Sequence, residues 1–167
     1  PDEFVAFYFV QDVGTVDTDD VDDALAKGAG GIGEVSGRHF AAGSSEATEY
    51  PADHPKLMKI YELAGEHGVP VNLHHDYDDT PTGELDAALS AYPGTVFVWA
   101  HAGDTIPENL AQFLEDYDNL FIDLSCRNDL EPFATRPFPL EDQRMNEEDG
   151  TIQQRWYDIL EAYPDRF

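Results

Sequence analysis

Five apolar runs alternate with stretches of helical periodicity along this chain, and four of the runs carry a polar residue at or near their end. Glu34 closes GGIGE, His74 closes PVNLH, His101 closes VFVWAH and Asp123 interrupts NLFIDLS. Alternation with short connections implies parallel strands joined by right-handed crossovers. In a parallel α/β barrel the strand C-termini converge on one rim, and active sites sit there. Two histidines and two carboxylates on one rim are the ingredients of a metal-centred hydrolytic site.

The runs and their connectors can be placed individually. EFVAFYFVQ is a continuous apolar stretch with aromatics, which predicts a strand buried on both faces. VDTDDVDDALAKGAG opens with capping Asp and Thr, carries Val21, Leu25 and Ala26 on one face, and ends in glycine, which predicts a short helix. KLMKIYELAGEHG puts Leu57, Ile60, Tyr61 and Ala64 on one stripe, with Gly68 as the stop. GGIGEVS, PVNLHHD, TVFVWAHAGD and NLFIDLS read as strands. GELDAALSAYPG, IPENLAQFLEDYD and TIQQRWYDILEAYPDRF read as helices, with Pro107 in a first turn. RHFAAGSSEATEYPADHP and CRNDLEPFATRPFPLEDQRMNEEDG are long connections of the kind that form binding loops. The order is β-α-β-α-β-α-β-α-β-loop-α.

The fold class expected is α/β: a single domain over 1–167 forming part of a TIM-type (β/α)8 barrel, with about five parallel strands. The 167 residues fall short of the about 250 of a complete barrel, and neither end reads as a natural terminus. An open doubly wound sheet is the structural alternative. GAGGIG precedes or forms a strand rather than opening a helix, so the dinucleotide fingerprint is weak.

Strand alternation assigns the faces. In PVNLHH, Val71 and Leu73 share one face, leaving Asn72 and His74 toward the interior. In TVFVWAHA, Val96, Val98 and Ala100 share a face, leaving Phe97, Trp99 and His101 on the other. Leu120, Ile122 and Leu124 leave Phe121, Asp123 and Ser125, and Glu34 goes with Ile32 and Ser36. The same rule places every polar candidate inward near the rim. A divalent ion takes imidazole nitrogens at about 2.0–2.1 Å and carboxylate oxygens at a similar range. His74 and His101 are therefore the candidate metal ligands. Glu34 is a ligand, a catalytic carboxylate or a substrate contact, with a buried ion-pair partner for Arg38 as the alternative. Asp123 is a catalytic candidate, a support behind the ligands or a plain strand-end polar residue. Arg38 and His39, just after Glu34, are candidate substrate-binding residues. His75 has the wrong parity and is expected behind the site or facing solvent. His54 and His67 read as helix-terminal residues, and Trp99 as core.

Charge narrows the setting. There are 35 Asp and Glu against 9 Lys and Arg, a net −26. Such a surface repels itself, and salt screens the repulsion, with a Debye length of about 3 Å at 1 M. Hydrophobic content remains 41%, so this is a folding chain and not an acidic tail. The composition reads as adaptation to high salt, with the cytoplasm of a halophile as the expected setting; an acidic mesophile protein is the alternative. Nucleic-acid partners are disfavoured, and no stretch reaches the roughly 20 apolar residues of a membrane span. The single cysteine, Cys126, excludes an internal disulfide and lacks an activating partner for nucleophilic work.

GGIGEVSGRHF, HPKLMKIYELAGEHGVPVNLHHD, VFVWAHAGD, NLFIDLS and the closing YPDRF together resemble the amidohydrolase superfamily, in particular its amidohydrolase-2-type branch of metal-dependent hydrolases, decarboxylases and lactonases. The resemblance implies a distorted (β/α)8 barrel. That fold carries a His-x-His pair on strand one, Glu or Lys at the end of strand four, His on strands five and six, and Asp on strand eight. Glu34 falls on the strand-four position, His74 on strand five and His101 on strand six; Asp123 falls on strand seven, where the family has no fixed ligand. The chain would span strands three to seven. The His-x-His pair and the strand-eight Asp, the expected general base, have no counterpart in it. The implied function is metal-dependent hydrolysis of a small-molecule amide, lactone or ester. The implied cofactor is a divalent metal, zinc first, with manganese, iron or magnesium as alternatives. A nonoxidative decarboxylase of the same branch, a metal-dependent deoxyribonuclease-like enzyme and an inactive structural fragment are the rival readings. A homo-oligomer is a further expectation, because five barrel strands leave two unpaired edges.

Overall fold

The computed structural model of the chain describes residues 4–39, 48–77, 82–125, 127 and 144–167. In chain order the elements are β1 (Tyr8–Val10), α1 (Thr18–Ala26), β2 (Ile32–Ser36), β3 (Arg38–His39), β4 (Thr48–Glu49), α2 (Pro55–His67), β5 (Val71–His74), α3 (Thr82–Ala91), β6 (Phe97–Trp99), α4 (Pro107–Asp116), β7 (Leu120–Ile122) and α5 (Gln154–Ala162), with a tight turn at Ala100–Asp104 after β6. The five longer-range strands form one parallel sheet in the order β1-β2-β5-β6-β7, and β3 and β4 make a small antiparallel hairpin. The α/β reading with five parallel strands alternating with helices holds. Among the described residues no helix is long and apolar enough to cross a membrane.

Local chemistry explains the helix boundaries. Asp17 caps α1 by accepting from the amide of Asp19. His54 caps α2 through its ring, Pro55 fills the first turn, and Gly68 ends it at φ 67°, a conformation that glycine adopts without strain. His67, in the last turn of α2, meets Asp22 of α1 at 2.7 Å. Both histidines thus stand at helix ends, as their sequence positions suggest.

Register sets the core. Ile32, Val71, Phe97 and Leu120 stand side by side across the sheet, and Val35, Leu73, Trp99 and Ile122 form a second row. All eight are buried. Phe97 meets Tyr61 of α2 edge-on at 4.9 Å, and Trp99 meets Phe113 of α4 at 5.2 Å. These two rows therefore face the helices. Burying side chains of this size stabilises by about 1.5–3 kcal/mol each.

Three expectations need correction. Phe97 and Trp99 face the helices, not the interior, because they hold register with Leu73 and Ile122. Ile32 lies in the core and does not share a face with Glu34: β2 has a register shift between Ile32 and Val35. The first run is not buried on both faces, since Phe4, Val5, Phe7 and Phe9 are exposed. β1 is the outer strand of the sheet, paired only with β2 among the described residues.

Candidate metal centre

Glu34 owes its position to a bulge. Between the two core rows β5 spends one residue, Asn72, whereas β2 spends two, Gly33 and Glu34. The additional residue turns Glu34 out of the core while Val35 returns to it. Gly33 is required at this point. It sits at φ 147°, and a Cβ there would lie 2.7 Å from the Asn72 Cβ and 2.8 Å from its carbonyl oxygen.

His74 arrives by simple alternation: Val71 and Leu73 go to the core, and Asn72 and His74 to the other side. His101 arrives differently. The strand ends at Trp99, and His101, Ala102, Gly103 and Asp104 all take positive φ, between 49° and 56°. Of these four consecutive left-handed residues, the three that are not glycine cost about 1–2 kcal/mol each. Strain of this kind clusters at functional sites. The Ala102 amide donates to the Asp123 carbonyl and the Tyr77 amide to the Gly103 carbonyl, tying the turn to the segments that follow β7 and β5.

The three side chains converge. Glu34 Oε1 lies 2.7 Å from His74 Nδ1, and its Oε2 lies 3.4 Å from His101 Nε2. The two imidazoles meet edge-on with centroids 4.8 Å apart. Each has its far nitrogen engaged: His74 Nε2 is 3.0 Å from Asp76 Oδ1, and His101 Nδ1 is 2.9 Å from the Ser125 carbonyl. The hydrogen bonds from His101 and His74 hold the Glu34 carboxyl well below the usual carboxylate range, against the effect of burial. Burial pulls His74 down, but its bonds to Asp76 and Glu34 outweigh that and bring it up to about 9. Glu34 likewise raises His101, against burial.

The other candidates fall around this trio. His39 stands edge-on to His74, centroids 4.3 Å apart, with Nδ1 3.3 Å from Asp76 Oδ2. Arg38 is engaged by Glu84 of α3 through two bonds, of 2.8 and 2.6 Å. Asp123 accepts from the Ser125 amide and hydroxyl, and that hydroxyl is 3.0 Å from His101 Nδ1. Asp123 thus braces the residue that anchors His101 and is not among the converging ligand atoms. His75 is buried rather than solvent-facing; its Nδ1 accepts from the Arg38 amide, and burial lowers it to about 4. Cys126 lies outside the described residues. The sequence reading missed Asp76, Glu84 and Ser125. Asp76 was the most accessible of these, two positions beyond His74 and so in phase with it.

Two groups of ligand-type side chains come together among the described residues: Glu34 with His74 and His101, and His39 with His74 and Asp76, each with ligand atoms within 4.8 Å of one another. The first group suits a divalent ion. It joins one carboxylate to two imidazoles that point different nitrogens at it, with their remaining nitrogens engaged by oxygen acceptors. A cleft of about 780 Å³ opens between the end of β1 and the β3–β4 hairpin, lined in part by Gln11, Asp12, Thr15, Ser36, Thr48 and Glu49.

A parallel sheet with helical crossovers and a carboxylate–imidazole cluster at its strand ends is the arrangement that part of a (β/α)8 barrel presents on its C-terminal rim. Residues 4–163 match the family described as Amidohydrolase, and the chain belongs to that family. Among solved structures it is similar to a dihydroorotase from Campylobacter jejuni, with a TM-score of 0.58 and 14% identity. That match covers 95% of this chain and 46% of the dihydroorotase, so the chain spans about half the length of its structural neighbour. Its sheet corresponds to part of a barrel. A comparison with curated proteins finds no match.

Proposed function

We propose that Glu34, His74 and His101 hold a divalent metal ion, zinc in the first instance, in a hydrolase acting on a small-molecule amide, lactone or ester. The observation that carries this reading is the Glu34 carboxylate set 2.7 Å from His74 Nδ1 and 3.4 Å from His101 Nε2. An ion bound there supplies Lewis acidity and lowers the pKa of a coordinated water to about 7. The chain's own contribution is orientation. Asp76 and Ser125 hold the two rings, and the bulge and the left-handed turn aim Glu34 and His101.

We further propose a small-molecule substrate rather than nucleic acid, and a high-salt cytoplasm as the setting, on the strength of the −26 net charge.

The test is metal binding by calorimetry together with a hydrolysis screen over amides, lactones and esters. Stoichiometric Zn²⁺ or Mn²⁺ binding, abolished by His74→Ala and by His101→Ala, supports the metal site. Metal-dependent turnover of one substrate class names the reaction. CO₂ release without hydrolysis moves the assignment to a decarboxylase, and wild-type metal affinity in both variants removes the metal reading.

A further inference from the structure

We infer that Asp76 is the positioning residue of this centre: it grips His74 from behind, presents Nδ1 to the ion, and links that ligand to the β3–β4 hairpin through His39. The inference rests on the metal site proposed above. His74 has Glu34 on one nitrogen and Asp76 on the other, at 2.7 and 3.0 Å. An imidazole donating Nε2–H to a carboxylate keeps its Nδ1 lone pair for an ion and becomes more basic. Asp76 is itself buried, and its position is fixed by the backbone, since its amide donates to the Arg38 carbonyl at 2.8 Å. Its second oxygen lies 3.3 Å from His39 Nδ1. One carboxylate therefore spans two imidazoles, one from the sheet and one from the hairpin.

His101 solves the same problem with a different anchor. Its Nδ1 faces the Ser125 carbonyl at 2.9 Å and the Ser125 hydroxyl at 3.0 Å, and of these two partners the main-chain one survives side-chain substitution. The two ligands should therefore respond unequally to mutation of their supports. Arg38 extends the hairpin's attachment by its paired bonds to Glu84, and Thr48 adds a bond to the Gly37 carbonyl. A strand-end ligand is thus connected, through Asp76 and His39, to a hairpin that also walls the neighbouring cleft.

The experiment is a Zn²⁺ titration of the chain by chelator competition, with ring ¹⁵N NMR of the histidines. Wild type should bind one ion, shifting the His74 Nδ1 signal and leaving Nε2 protonated. Asp76→Asn should weaken binding by about 10–100-fold. Asp76→Glu, which restores the charge, should recover part of the loss, and Ser90→Ala, at an exposed hydroxyl that meets Tyr117 away from the centre, should bind as wild type does. Two ions in wild type and one in Asp76→Asn, or a Zn²⁺ shift at His74 Nε2, would make Asp76 a ligand and overturn the inference. Wild-type affinity in a folded Asp76→Asn overturns it as well. If Asp76→Asn does not fold, the wild-type nitrogen pattern and Asp76→Glu decide. Unchanged binding in His74→Ala is a different result, since it removes the metal site itself.

Discussion

At the scale of the residue, the metal-free centre is a set of opposed charges whose balance depends on pH. His74 is raised to about 9 in the folded chain, against about 6.5 when unfolded. Its contribution to stability is complete below about 6.5 and is lost as pH rises toward 9. His75 works in the opposite direction. Burial holds it neutral down to about 4, so the folded state loses stability as pH falls from 6.5 toward 4. Glu34, depressed by His101 and His74, adds a further loss once pH drops below its unfolded value of about 4.3. Urea denaturation of the metal-free protein should therefore show greatest stability near pH 6.5. His74→Gln should flatten the alkaline limb, leaving the acid limb in place. A stability maximum that His74→Gln leaves unmoved on both sides would contradict this assignment.

At the scale of the element, two irregularities build the site, and each depends on a glycine. Gly33→Ala should destabilise the fold by about 1–3 kcal/mol, since a Cβ there meets the Asn72 backbone. It should also shift Glu34 enough to weaken metal binding at least tenfold, as read by calorimetry. Gly103→Ala would drive a Cβ into the indole of Trp99. With its positive φ, the cost should reach about 2–4 kcal/mol, visible in denaturation followed by tryptophan fluorescence. These same irregularities mark where the sequence stops being readable. β5 obeyed alternation because Asn72 and His74 label its polar face. β6 carried no such label: Val96, Phe97, Val98 and Trp99 are all apolar, so the two faces were exchanged. His101 still reached the site because the left-handed turn, not strand parity, delivers it. β2 hid its bulge in a stretch of small residues. The gathering of Glu34, His74 and His101 was thus legible from strand-end position, whereas Asp76 and Ser125 were not, because their role depends on contacts across strands.

At the scale of the whole molecule, a net charge of −26 on 167 residues opposes a core of two buried rows. Raising KCl from about 0.1 M to 1 M shortens the Debye length from about 10 to 3 Å, so the melting temperature should rise with salt. A flat or falling response would count against the high-salt reading. The exposed phenylalanines on and just before β1, Phe4, Phe7 and Phe9, impose a second response to the same variable. Mutual repulsion of acidic surfaces is what keeps such apolar patches apart in dilute buffer, and screening removes that protection as it steadies the fold. Excluded salts also strengthen apolar association. Colloidal behaviour should therefore turn over within the range in which folding is still improving, with turbidity appearing earlier in ammonium sulfate than in potassium chloride, and a Phe9→Lys change moving that onset to higher concentration.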